Sequence, residues 1–181
     1  MKSEIRWVIT SICLVSAIVF FFASSVAAKK GKEDRPLFTP VITADQAVGM
    51  VTAALPKLAV GKYWVKTGPR GDKKMNVALI LDDRIVSRVE LNPATGEIMP
   101  KGQRIFVEQV SADPEQAVSR VRQAMPNLQV SSARLGKDGE WKVELTLNRG
   151  VVAEINVHSG DGSILTDWGA SRDATLYPGM R

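Results

Sequence analysis

The sequence predicts an α+β protein made of two tandem repeats, each one helix packed on a small antiparallel sheet of three to four strands. Two observations carry that expectation. The apolar pattern of Asn76 to Ile98, NVALILDDRIVSRVELNPATGEI, returns in Lys142 to Ile164, KVELTLNRGVVAEINVHSGDGSI, at a constant offset of 66. Val77, Leu79 and Leu81 become Val143, Leu145 and Leu147, while Val89 and Leu91 become Ile155 and Val157. Upstream of each hairpin stands a capped segment with one apolar stripe, and these two are related by an offset of 70. Apolar residues alternate in the hairpins at the period of half-buried strands, whereas the upstream stripes have helical spacing.

The first stretch is not part of that pattern. Lys2 and Arg6 precede an uncharged run of 22 residues, Trp7 to Ala28. A bilayer span takes about 20 apolar residues, and Ser25-Val26-Ala27-Ala28 also offers the small residues a signal peptidase reads. Residues 1–28 are therefore expected to be a signal peptide or a membrane anchor. Lys29, Lys30, Lys32 and Arg35 beyond the run match the basic residues before it, so flanking charge does not set the orientation; export is the expectation, with the remainder periplasmic or extracellular, secreted or anchored to the inner membrane. Cys13, the only cysteine, sits inside the run and lacks the small-residue context of a lipidation site. The rest of the chain then has neither a disulfide nor a cysteine nucleophile. Residues 29–41 are polar and end in proline-containing sequence, a tether.

The first repeat is assigned to residues 42–101. Thr43 is a helix N-cap with Gln46 three residues on, the stripe is Ala47, Val48, Val51, Ala54 and Leu55, and Pro56 ends the helix. A strand from Lys62 to Thr67 follows, then the loop Thr67 to Asp72, then a hairpin around Asp82-Asp83-Arg84. The turn Asn92 to Gly96 leads into a brief last strand at Ile98-Met99. Residues 102–110 contain Ile105-Phe106-Val107, too apolar for a free linker, and are predicted to form a strand paired with one of the sheets. The second repeat, residues 111–168, has Asp113 as cap, Pro114 at the first helical position and the stripe Ala117, Val118, Val121, Ala124 and Met125 before Pro126. Its strand is Gln129 to Leu135, its hairpin turns at Asn148-Arg149-Gly150 with the glycine supplying a positive φ, and its closing turn is His158 to Gly162 before Ile164-Leu165. The pattern suits repeats that share a core and repeats that pack side by side alike. Trp168 is expected to plug the core, and residues 169–181 to trail as a tail in which Leu176-Tyr177-Pro178 could dock a partner.

The unit resembles the PepSY domain, which opens with a capped helix of the form (S/T)xx(E/Q)A and closes with a strand and a D/N-x-x-(S/T)G turn. The matching pieces are Thr43 to Ala47 with Val89 to Ile98, and less closely Asp113 to Ala117 with Ile155 to Gly162. In the second copy His158 and Asp161 replace the family's Asp or Asn and Ser or Thr. The resemblance implies an envelope or secreted protein that binds or restrains partner proteins, secreted peptidases among them. It brings no catalytic residue and no cofactor.

Candidate chemistry is sparse. His158 is the only histidine, which excludes a histidine-rich metal site and leaves one imidazole for any Ser-His-Asp set. Asp82-Asp83 reads as a hairpin tip, and Gly160-Asp161-Gly162 is too short for a phosphate loop. An enzyme would need a cleft bringing His158 near a serine and a carboxylate, so none is expected, nor any metal. Charge is uneven. Residues 43–101 hold nine basic and six acidic groups against six and eight in residues 111–168. Lys66, Arg70, Lys73 and Lys74 gather around the first repeat's extra loop, with Tyr63 and Trp64 nearby, and these six residues are the expected partner-contact surface. The expected function is a non-catalytic cell-envelope binding or regulatory module that contacts a peptidase or membrane complex, not nucleic acid, through an exposed sheet edge or the basic loop, by strand addition or steric masking. The alternative is an accessory or structural subunit of a membrane-bound complex, held by residues 1–28 as an uncleaved helix.

Overall fold

Helix α1, Ala44–Ala54, begins where the cap predicts it. In this computed structural model, which describes residues 39–177, the Thr43 amide donates to Gln46 Oε1 at 2.8 Å and the Gln46 amide to Thr43 Oγ1 at 3.2 Å, closing a capping box. Residues 1–28 with Cys13, most of the tether 29–41, and Pro178 lie outside the described residues. Helix α2, Pro114–Ala124, is capped by Asp113 Oδ1, which accepts from the amides of Glu115 at 2.8 Å and Gln116 at 3.3 Å. Each helix tightens into a single 3-10 turn around its proline, Leu55–Lys57 and Met125–Asn127. Among the described residues no helix is long and apolar enough to cross a membrane.

Two three-stranded antiparallel sheets follow in like order: β1 (Ala59–Thr67), β2 (Lys73–Leu81) and β3 (Arg84–Leu91), then β4 (Gln129–Leu135), β5 (Trp141–Leu147) and β6 (Gly150–Val157). Register matches the offset, with Val77 opposite Val89 and Val143 opposite Ile155. Each hairpin closes through two residues of positive φ, Asp82 (47°) with Asp83 (61°) and Asn148 (50°) with Arg149 (68°). That is the turn whose twist suits a hairpin, so the positive φ expected of Gly150 falls on the two residues before it. The brief last strands reduce to single bridges, Leu91 with Ile98 and Val157 with Ile164.

The helix over each sheet comes from the other half of the chain. Helix α1 lies against β4, β5 and β6, and α2 lies against β1. The amides of Val41 and Ile42 both donate to Ser159 O at 2.9 Å, while those of Ser111 and Ala112 both donate to Pro93 O at 3.0 Å. Trp141 Nε1 donates to Ile42 O at 3.0 Å, a further tie between the first helix and the second sheet. Glycines at the closing turns let the helices approach: a Cβ on Gly162 would meet Met50 Cε at 3.2 Å, and one on Gly96 would meet Ala117 Cβ at 3.5 Å. The two halves therefore share one core, in which Val51 and Val121 from the helices pack with Leu79, Leu91, Leu145 and Ile155 from both sheets.

Strands β3 and β6 meet at a seam. Lys101 N donates to Val151 O at 2.7 Å and Asp167 N to Ile85 O at 2.8 Å, two bonds related by the same shift of 66. Ser87 adds a third, from its buried hydroxyl to Glu154 O at 2.6 Å. Ser87→Ala is expected to lower stability by about 1 kcal/mol, measured by urea unfolding.

The tail and the connector differ from expectation. Residues Trp168–Leu176 form a third helix, α3, which folds onto β1 and β3 rather than trailing from the second sheet. It covers the outer face of the first sheet, where Ala170 and Ala174 pack on Trp64 and Ala78, with Ile80 and Ile85 around them. The positions that correspond to Trp64, Ala78 and Ile80 in the second sheet are Arg134, Glu144 and Thr146, which need no cover. Trp168 does not plug the core: it is 78% exposed at the start of α3. Residues 102–110 form no strand, and Phe106 is 61% exposed.

Candidate partner-contact cleft

The six residues that the sequence singles out do not form one surface. Alternation along β1 sends Tyr63 and Val65 to the inner core and Trp64 and Lys66 to the outer face. Trp64 is fully buried beneath α3, so no partner can stack on it. Lys73 donates to Thr67 Oγ1 at 2.8 Å at the mouth of the loop. Lys66, Arg70 and Lys74 are brought together, as walls of a cleft of about 360 Å³ on the outer face of the first sheet. Sequence reasoning missed the other walls: Asn76, Arg88 and Glu90 from β2 and β3, Asp72 from the loop, Arg104 from the connector and Asp173 from α3. The first three lie on the same alternating face as Lys74 and are open to that argument. Arg104 and Asp173 are not, since the sequence predicts a strand and a trailing tail for their segments.

The loop that frames the cleft is held by its own backbone. Gly68 N donates to Asp72 O at 2.7 Å and Gly71 N to Gly68 O at 3.0 Å, with Gly71 at a φ of 80° that favours glycine. Across from it Lys66 Nζ pairs with Asp173 Oδ2 at 2.8 Å and stands 5.9 Å from the centre of the Tyr177 ring. Lys74 pairs with Glu90 at 3.6 Å, and Arg88 with Asp167 at 3.1 Å. Asp167 also caps α3 by accepting from Ala170 N at 2.8 Å, so one carboxylate fixes both the helix start and an arginine of the cleft. No ion pair involves Arg70 or Arg104 among the described residues.

Burial alone would raise the Asp173 carboxyl, but the hydrogen bond and charge of Lys66, aided by Arg172 and Arg88, hold it below the usual carboxylate range. A depressed carboxylate stabilises the fold above its unfolded pKa of about 3.9, and that contribution is lost as pH falls through the lower folded value. Acidification is thus expected to loosen α3. The decline of Tm between neutral and strongly acidic pH should be smaller in Asp173→Asn than in the parent, whose Tm at neutral pH should be the higher.

A smaller crevice of about 70 Å³ lies on the seam between the sheets. There Glu154 receives both Lys101 and, at 2.7 Å, Arg134. Burial, with Arg134, Lys142 and Arg88 adding their charge, pushes the Lys101 amine down to about 8 even beside Glu154. The related position across the seam holds Arg88 with Asp167, the same pair with its charges reversed.

His158 does come near a serine and a carboxylate. Its Nδ1 is 2.9 Å from Asp161 Oδ1, which also accepts from Ser163 Oγ at 2.8 Å and Ser163 N at 2.9 Å. Those bonds from Ser163, then that of His158, bring Asp161 down to about 2. The hydroxyl, however, donates to the carboxylate and not to the imidazole, so the nucleophile-to-base contact of an acyl-transfer triad is missing and the arrangement is that of a braced turn. Among the described residues no group of three or more His, Cys, Asp or Glu side chains is placed to hold a metal ion. No family model, curated protein or solved structure matches the chain.

Proposed function

We propose that the protein is a non-catalytic binding module of the PepSY type, with two such units in tandem, exported behind residues 1–28 to contact or restrain a partner protein of the cell envelope. A secreted peptidase is the partner class that the resemblance favours. The hydrogen bonds related by the shift of 66 and the two capped helices support the tandem reading. The observation that carries the functional reading is the cleft. Its walls come from the loop, the connector and α3, and it presents two arginines without an ion pair among the described residues, while Lys66 and Arg88 are already held in place by carboxylates. Such a surface is built to receive charge from outside, with its scaffold positioned in advance. Binding there would act by steric masking, with no bond made or broken in the partner.

The test is a photoactivatable residue at position 69, an exposed loop position that lines the cleft beside Arg70, in the full chain with its native leader, irradiated in cells. A discrete adduct with one envelope protein is expected at position 69. The same residue at position 149, an exposed hairpin turn, should give none. No adduct at 69, or equal adducts at both positions, would contradict the reading.

A further inference from the structure

We propose that the cleft recognises an acidic, extended protein segment, with Arg70 and Arg104 each taking a carboxylate of it. The inference rests on the reading of the cleft as a partner-contact site and adds the chemistry of what enters. Of the basic groups lining it, Lys66, Lys74 and Arg88 are paired with Asp173, Glu90 and Asp167. Arg70 and Arg104 are exposed and have no such partner among the described residues. Guanidinium groups favour planar, two-pronged bonds to carboxylates, and since both arginines line one cleft, a single segment with two carboxylates can engage them together.

The carboxylates within the cleft decide against denser anions. Asp72, Glu90 and Asp173 lie among the lining groups and would repel a polyphosphate, a nucleic acid backbone or an anionic lipid surface, each of which is held by a basic field with little acid in it. A volume of about 360 Å³ lies in the lower part of the usual range for a binding site and suits a few side chains. The occupant is therefore a segment of low charge density that carries two carboxylates, one for each arginine.

The probe is the pentapeptide acetyl-GEVEG-amide, titrated into the full chain beside acetyl-GQVQG-amide and inorganic phosphate. The glutamate peptide is expected to bind, with affinity falling about ten-fold as salt is raised from low to physiological strength. The glutamine peptide and phosphate should bind at least about ten-fold more weakly, as the two-pronged carboxylate bond predicts. Combining Arg70→Ala with Arg104→Ala should abolish the preference for glutamate while leaving Tm unchanged, since both side chains are exposed. Equal binding of the two peptides, phosphate binding as tightly as the glutamate peptide, or full binding by the double variant would overturn the proposal. A cross-link at position 69 alongside equal peptide binding would leave the module standing and remove acidic recognition alone.

Discussion

Residues 39–110 produced alone are expected to be unfolded, residues 111–177 likewise, and an equimolar mixture to regain structure. The cause is the exchange of helices. The first fragment keeps β1, β2 and β3 but loses α2, which packs on that sheet, and α3, which covers its other face. The second loses α1 from β4, β5 and β6, along with the amides of Val41 and Ile42 that bond Ser159. Each fragment would also be of a size at which a lone domain is marginal even with its core complete. Far-UV circular dichroism and amide chemical-shift dispersion would report the outcome. A folded single fragment would mean that each helix can return to its own sheet.

Trp64→Ala should cost about 3 kcal/mol, near the low end of the roughly 3–5 kcal/mol for truncating a buried large aromatic. The indole fills the space between the first sheet and α3 and is wholly buried among Ala78, Ala170 and Ala174. The low end is expected because its Nε1 is buried without a hydrogen-bond partner, a cost that the substitution removes. Since Asp173 sits on α3 and lines the cleft, the same variant should weaken binding of the glutamate peptide without touching either free arginine. Urea unfolding and the peptide titration check the two halves of this expectation.

Local structure was legible in the residues and long-range pairing was not. Thr43 and Asp113 mark their helices because caps act within one turn, and β4 runs over the predicted Gln129 to Leu135 because alternation is a local property. The helix exchange is invisible to such arguments: Ala47 and Val51 on one stripe match Ala117 and Val121 on the other, so either stripe suits either sheet. Helix α3 was missed by reading GASRDATLYPGMR alone. The readable signal lay elsewhere, in Trp64, Ala78 and Ile80 facing outward from the first sheet where the second has Arg134, Glu144 and Thr146. In the connector Ile105 and Val107 are half-buried and Phe106 is exposed, so its apolar run reflects packing against neighbours and not strand pairing. The cleft was half found because Lys66, Arg70 and Lys74 are close in sequence, whereas Arg104 and Asp173 reach it only through the fold.

The most direct measurement on the claim that this cleft is the contact surface is amide hydrogen exchange of the full chain with and without the glutamate pentapeptide. Slowed exchange is predicted in residues 67–73, 102–106 and 170–176 together, because one occupant would touch the loop, the connector and α3 at once. Protection confined to Gln129–Leu135, the exposed edge strand of the second sheet, would show strand addition instead and contradict the account.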